Sequence, residues 1–173
     1  MGRVTFAHMK TLFSTISLFA AALSAQAALQ PGDHLSPYEI KNTRTNETYC
    51  QVCAYGAKPG KVVAFGKLKD ASFWADLEKL QALATKYPSL GVFAQVIDSD
   101  DTKAIQAAAV EHGVKFPVVV AVEKDWDAAY QVKGVSRTIY YAQKDNKIAW
   151  TTVGLEVESA KKLAEKLSTD LAS

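Results

Sequence analysis

The chain has little of several features that would narrow its function, and the scarcest is cysteine. Only two cysteines, Cys50 and Cys53, occur among its 173 residues, so a framework of several disulfides is excluded. No apolar run reaches the roughly 20 residues that a membrane-spanning helix needs. Internal repeats and low-complexity segments are also lacking, which excludes solenoids and fibrous arrays.

An excess of charge of one sign is lacking too. The chain has 20 basic and 18 acidic residues, and because residues 1–27 hold Arg3 and Lys10 but no acid, 18 of each remain beyond them. A neutral chain without a basic patch gives no support for binding to nucleic acid or to an anionic membrane surface. We therefore expect no nucleic-acid partner.

The first 27 residues have the layout of a secretory signal peptide. A positively charged start precedes an apolar run from Leu12 to Leu23, which ends in the small-residue site Ala25-Gln26-Ala27. The pattern predicts cleavage near Ala27, a periplasmic or secreted protein, and no membrane anchor after cleavage. Disulfides form and persist outside the cytoplasm, so the cysteine pair is expected to spend time oxidised.

The rest of the chain has the size of one domain and the pattern of an α/β fold. Residues 28–60 are turn-rich and predict a hairpin and loop that carry the cysteine pair. Residues 61–173 alternate short apolar runs with amphipathic helical patterns, and two of the runs flank a polar loop suited to a hairpin. We expect residues 28–60 and 61–173 to form one globular unit.

The second half of the chain carries a resemblance to a known family. The relevant residues are Phe116-Pro117-Val118-Val119, the segment from Ala129 to Val135 that reads AYQVKGV, and Asp145-Asn146-Lys147-Ile148. With these motifs in this order, the chain resembles the peroxiredoxin-like and exported redoxin branch of the thioredoxin-like superfamily. The resemblance extends from about Lys61 to the end of the chain. The resemblance implies a central mixed sheet flanked by helices, with an N-terminal hairpin extension.

The cysteines depart from the pattern of that family. Redoxins hold their reactive cysteine after the first core strand, where this chain has Gly66 to Ser72 without cysteine, so it is not a typical peroxiredoxin. Ser136 stands where the family's cis-proline is usual. The segment from Cys50 to Gly56 instead resembles a Cys-x-x-Cys-x-Tyr-Gly segment of exported thioredoxin-like proteins, and no helix start is predicted directly after the pair.

Geometry sets a condition on the pair. Residues three apart in an extended strand are separated by about 10 Å, whereas a disulfide needs Cα atoms within about 7 Å. Cys50 and Cys53 can therefore bridge only if the chain turns there. Our first hypothesis is a redox-active dithiol without cofactor, in which Cys50 and Cys53 are catalytic residues that exchange with exported protein thiols and disulfides, or that sense oxidation. Lys58 and Lys61 are near in sequence and could favour a thiolate.

Two other functions fit the same residues. The bridge could be purely structural, pinning the N-terminal hairpin of a non-catalytic interaction module. Alternatively, two thiolates suit Cu(I), as in a metallochaperone that adds a distant histidine, and beyond residue 27 the chain has only His34 and His112. Haem attachment is disfavoured, because Ala54 stands where a Cys-x-x-Cys haem site needs histidine.

Overall fold

A computed structural model describes residues 28–171 of the chain. The predicted signal peptide therefore lies outside the described residues. Within them, no helix is both long enough and apolar enough to cross a membrane.

Seven strands and five helices alternate along the described residues. The strands are β1 (Glu39–Asn42), β2 (Thr48–Cys50), β3 (Gly60–Gly66), β4 (Gly91–Val96), β5 (Val118–Ala121), β6 (Thr138–Gln143) and β7 (Ile148–Val153). The helices are α1 (Gln51–Ala54), α2 (Ala71–Lys86), α3 (Thr102–Glu111), α4 (Trp126–Tyr130) and α5 (Val157–Asp170). The alternation of strands and helices predicted after residue 60 is confirmed.

All seven strands belong to one mixed sheet, in the order β2-β1-β5-β4-β3-β6-β7. Strands β3, β4 and β5 are parallel. Strands β6 and β7 form the predicted hairpin, and β6 pairs antiparallel with β3. Strand β1 pairs antiparallel with both β5 and β2, so β2 runs in the same direction as β3. The predicted mixed sheet with an N-terminal hairpin extension is thus confirmed.

One face of the sheet packs against the three longest helices. Because side chains alternate along a strand, Val62 and Ala64 of β3 point to this face, and Val63 and Phe65 point to the other. Helices α2, α3 and α5 contribute the apolar side chains that cover it. These include Phe73, Trp74, Leu77, Leu80, Ile105, Leu163 and Leu167.

The opposite face is covered largely by the N-terminal extension, with help from α4. Leu29, Leu35 and Tyr38 of the segment before β1 are buried there, together with Val52 of α1 and Tyr130 of α4. Phe65, Phe93 and Val119 of the central strands lie beneath them. We call this set of side chains the second core. The cysteine pair lies beside it.

Candidate redox site

The two cysteines form a disulfide across a single helical turn. The sulfur atoms of Cys50 and Cys53 are bonded, and their Cα atoms are 5.2 Å apart. Cys50 is the last residue of β2, and Cys53 lies inside the four-residue helix α1. The condition set by the spacing is met, because the chain leaves the extended conformation directly after Cys50.

No helix begins directly after Cys53, as predicted, but a helical turn that was not predicted, α1, begins between the two cysteines. Cys50 is the N-cap of α1, and its Sγ accepts a hydrogen bond from the backbone N–H of Cys53 at 3.1 Å. This turn is hard to predict, because α1 is too short for a helical repeat and cysteine is not among the preferred capping residues. A sulfur that accepts an N–H is better able to carry negative charge.

The two cysteines differ in their exposure. Cys53 is exposed, whereas Cys50 is half-buried and packs against the second core. The residue after the pair, Ala54, is also exposed and carries only a methyl group. An approaching thiol therefore meets Cys53 at an open surface.

Hydrogen bonds among several polar side chains anchor the start of α1. The Tyr49 hydroxyl accepts a hydrogen bond from Asn42 Nδ2 at 3.0 Å and donates one to Gln51 Oε1 at 2.7 Å. Asn42 and Gln51 are both buried, so these bonds satisfy groups that would otherwise be costly to bury. The Asn42 Oδ1 also accepts the backbone N–H of Arg44 at 2.9 Å. These hydrogen bonds attach the residues around Cys50 to β1.

The end of α1 is anchored by the tyrosine of the Cys-x-x-Cys-x-Tyr-Gly segment. Tyr55 donates its hydroxyl to the carbonyl of Val92 at 3.0 Å, and its ring packs edge-on to Phe93. A Cβ at Gly91 would lie 2.5 Å from the Tyr55 ring, so only glycine leaves room for it. Burial, with a smaller effect from Tyr49, raises the pKa of Tyr55 to about 12. No local pattern indicates these partners of Tyr55, because Val92 is 37 residues away in the chain.

Neither lysine near the pair in sequence is directed at the sulfurs. Lys58 Nζ donates to the carbonyl of Pro88, and Lys61 Nζ is buried and donates to the carbonyls of Gln143 and Lys144 at the β6–β7 turn. The suggestion that these lysines favour a thiolate is not supported. The hydrogen bond from Cys53 N–H supplies the local stabilisation instead.

The loop where redoxins hold their cysteine is occupied by a carboxylate and a hydroxyl. Asp70 caps α2 by accepting the N–H groups of Ser72 and Phe73, and its other oxygen accepts the Ser136 hydroxyl at 2.7 Å. The Ser136 hydrogen bond, with those backbone bonds, lowers the pKa of the Asp70 carboxyl. The contact with Ser136 could not be predicted from the sequence, because the two residues are 66 positions apart. Asp70 and Ser136, joined by this hydrogen bond, thus occupy the position where redoxins hold a thiol.

The disulfide does not lie over that loop. Cys50 ends β2, and Asp70 follows β3, which is four strands away in the same sheet. At roughly 4.8 Å between neighbouring strands, the lateral separation is about 19 Å. A redox site at Cys50 and Cys53 would thus act at the edge of the sheet, independently of Asp70 and Ser136.

The two histidines lie away from the disulfide. His34 forms a bridge with Lys147 beside β7, at the other edge of the sheet. The His112 ring stacks on Trp74 and contacts Glu78 at 2.7 Å on the face covered by α2. Within residues 28–171, no group of three or more His, Cys, Asp or Glu side chains has the arrangement of a metal site. Neither His34 nor His112 therefore lies where it could join Cys50 and Cys53 as a third copper ligand.

Comparison with known proteins finds similarity only at the level of structure. No protein-family model matches the chain, and no curated protein matches it in sequence. Among solved structures, a Chlorobium tepidum protein provisionally named a thiol:disulfide interchange protein has a TM-score of 0.70 and 14% identity, covering 83% of this chain and 99% of that one.

Two further solved structures have the same architecture. The thioredoxin domain of a thiol-disulfide oxidoreductase from Bacteroides vulgatus gives a TM-score of 0.66 at 13% identity, covering 81% of this chain and 99% of that domain. A secreted disulfide oxidoreductase from Mycobacterium tuberculosis gives 0.60 at 11% identity, covering 76% and 95%. These likenesses establish a thioredoxin-like fold for the chain, and at such identities they establish the fold alone.

Proposed function

We propose that the protein carries out thiol-disulfide exchange through Cys50 and Cys53, with thiols or disulfides of exported proteins as partners. One observation carries the proposal: the bridge reaches the surface at Cys53, while the sulfur of Cys50 already accepts a backbone N–H. Exchange needs both features, an accessible sulfur and a sulfur able to leave as thiolate.

The size of the loop closed by the bridge agrees with this function. A cross-link between residues three apart removes little entropy from the unfolded chain, about 2 kcal/mol in the chain-entropy treatment. The sheet and its two cores hold the rest of the described residues together without it. A bridge that contributes little stability and reaches the solvent is suited to repeated opening and closing.

The expected location supports the same partners. We propose that residues 1–27 direct export and are removed, so that the protein works in the periplasm or outside the cell. There the pair would be oxidised at rest and would meet the thiols of other exported proteins.

The test is a redox titration of the protein with its first 27 residues removed. Alkylation gel shifts in graded glutathione buffers should give a reversible two-electron transition, and the reduced protein should accelerate insulin reduction. The Cys50→Ser, Cys53→Ser double variant is the matched control and should be inactive. A pair that stays oxidised under strong reductant in the folded protein, with no insulin reduction, contradicts the proposal.

A structural role is the second candidate, and it also has an observation in its favour. The turn that holds the bridge is anchored at both ends by Tyr49 and Tyr55, and it lies about 19 Å from the usual redoxin position across the sheet. If the bridge is only structural, the double serine variant should lose at most about 2 kcal/mol of unfolding free energy. Its activity in the host should then be unchanged.

A further inference from the structure

The two sulfurs of the bridge differ in how a partner can reach them. A thiolate cleaves a disulfide by attacking one sulfur along the S–S axis, from the side opposite the sulfur that leaves. Cys50 is half-buried and packs against the second core, so less of this residue is open to a partner. Cys53 is exposed and is followed by the exposed Ala54. Access therefore favours attack at Cys53.

The sulfurs also differ in how well they can leave. The backbone N–H of Cys53 donates to the Cys50 Sγ at 3.1 Å, so charge that develops on that sulfur is stabilised by a donor already in place. A better-stabilised thiolate is a faster leaving group in exchange. This preference agrees with the one set by access.

The donor stays in place when the bridge opens, because α1 does not depend on the bridge alone. Gln51, which follows Cys50, is buried and held by the Tyr49 hydroxyl, and Tyr55 docks on Val92 and Gly91 after the turn. Between these anchors the helical turn can persist with both sulfurs reduced. The Cys50 sulfur would then remain beside the Cys53 N–H.

We infer that Cys53 is the sulfur that forms the mixed disulfide with a partner and that Cys50 is the leaving and resolving sulfur, an assignment that rests on the proposed exchange function. In the oxidising direction, a partner thiolate attacks Cys53 Sγ. The partner–Cys53 bond forms, the Cys50–Cys53 bond breaks, and its electron pair leaves on Cys50 as a thiolate.

A second thiolate of the same partner completes the reaction. It attacks the partner's own sulfur in the mixed disulfide, forms the partner's disulfide and releases Cys53 as a thiolate. The partner dithiol has lost two electrons and two protons, and the Cys50–Cys53 pair has gained them. The reverse direction begins with Cys53 as nucleophile and ends when Cys50 attacks Cys53 Sγ. The partner class is thus a protein with two nearby thiols, or its disulfide.

The experiment maps the first bond on the wild-type protein. Oxidised protein is mixed with reduced glutathione, which has one thiol, then acid-quenched early and treated with an alkylating reagent. Tandem mass spectrometry of the peptide that carries both cysteines then locates each group. We expect glutathione on Cys53 and the alkyl group on Cys50, in about tenfold excess over the opposite arrangement.

The single variants Cys50→Ser and Cys53→Ser measure the same preference between the two sulfurs independently. Serine at position 50 can still cap α1, because its hydroxyl can accept the Cys53 N–H, and position 53 is exposed, so both variants should fold. With oxidised glutathione as probe, Cys50→Ser should accumulate a mixed disulfide about tenfold faster than Cys53→Ser. Circular dichroism confirms that the two are equally folded.

The outcomes separate this assignment from the proposed function. Glutathione chiefly on Cys50, or equally on both cysteines, overturns the assignment and leaves exchange standing. The assignment is also overturned, with exchange left standing, if the two variants form the mixed disulfide at equal rates or if Cys53→Ser forms it faster. If glutathione fails to open the wild-type bridge while it opens an exposed reference disulfide, exchange itself fails, and the assignment fails with it.

Discussion

Arg137 illustrates how one residue can hold a buried charge in place. Its guanidinium makes a two-point contact with Asp76 at 2.8 and 3.1 Å, and the Asp76 side chain is fully buried in α2. A third contact joins Arg137 to Glu156 at 2.7 Å. Gly154 leaves the space that the guanidinium occupies, since a Cβ there would lie 2.8 Å from it. The arginine therefore compensates a carboxylate that has no access to water.

We expect Arg137→Ala to lower the free energy of unfolding by about 3 kcal/mol, because a buried carboxylate would lose its main partner. Lys79, at 3.6 Å from Asp76, is too distant and too exposed to replace it fully. Urea denaturation measures the change. Glu156→Gln is the control, because Glu156 is largely exposed, and we expect it to cost less than about 1 kcal/mol. Equal losses in the two variants would contradict this account.

Ser136 stabilises a second charged group, the Asp70 carboxylate, and this effect can be tested by changing the pH. Its hydrogen bond, with those from Phe73 and Ser72, holds the pKa of Asp70 below the usual range in the folded protein. A group with a lowered folded pKa contributes stability above its unfolded pKa, about 4, and the contribution disappears as the pH falls through the folded value. The Asp70–Ser136 contact thus stabilises the protein at neutral pH and not in strong acid.

We expect Ser136→Ala to be less stable than the wild type at neutral pH, with a difference that shrinks as the pH falls below about 4. Urea denaturation at a series of pH values gives the two curves. Ser168→Ala is a suitable control, because the Ser168 hydroxyl donates only to the carbonyl of Glu165, and its curve should parallel the wild type. A Ser136→Ala curve that also runs parallel would mean that Ser136 has no effect on the pKa of Asp70.

The elements of the chain differ in how far the sequence predicted them. Strands β3 and β4 are apolar runs bounded by turns, and α5 has a clear apolar stripe, so their local patterns were sufficient. Helix α1 was missed because a single turn has no repeat and is held by contacts with β1 and β4 that are distant in the chain. The same holds for Arg137 and Asp76, which are 61 residues apart.

The docking of α1 on β4 is an interaction between elements that can be tested at Gly91. A Cβ there would lie 2.5 Å from the ring of Tyr55, so we expect Gly91→Ala to displace the ring and cost about 1 to 3 kcal/mol. Alanine is otherwise no worse than glycine inside a strand, which makes a loss informative. The measurement is chemical denaturation, with the variant also made in a Tyr55→Ala background.

The double variant decides whether Tyr55 is the cause. Without the ring, Gly91→Ala has nothing to displace, so its cost should fall to near zero, and the two changes should be far from additive. If the cost of Gly91→Ala is the same in both backgrounds, the requirement for glycine comes from another neighbour. The midpoint reduction potential of Cys50–Cys53, measured in Gly91→Ala, would also show whether the contact between Tyr55 and β4 helps to hold the turn that carries the disulfide.

At the scale of the whole molecule, the N-terminal extension packs against one face of the sheet and pairs with one of its strands. Leu29, Leu35 and Tyr38 are buried in the second core, and β1 pairs with the outer edge of β5. Thr151 and Tyr140 make hydrogen bonds with the backbone of Leu29, which fastens the extension to the far side of the sheet. We therefore expect residues 28–60 and 61–173 to fold as one unit.

We predict that a chain of residues 61–173 does not fold cooperatively, because one face of its sheet would expose Phe65, Phe93 and Val119 to water. Near-ultraviolet circular dichroism should be weak, the dye ANS should bind, and thermal unfolding should be broad. Residues 28–173 are the control and should unfold in one sharp transition. The double serine variant of residues 28–173 should do so too, since the extension is fastened by the second core and β1 more than by the disulfide. A cooperative transition in residues 61–173 at the control's midpoint would show that the extension is a separate unit, carrying its cysteine pair on a fold that does not need it.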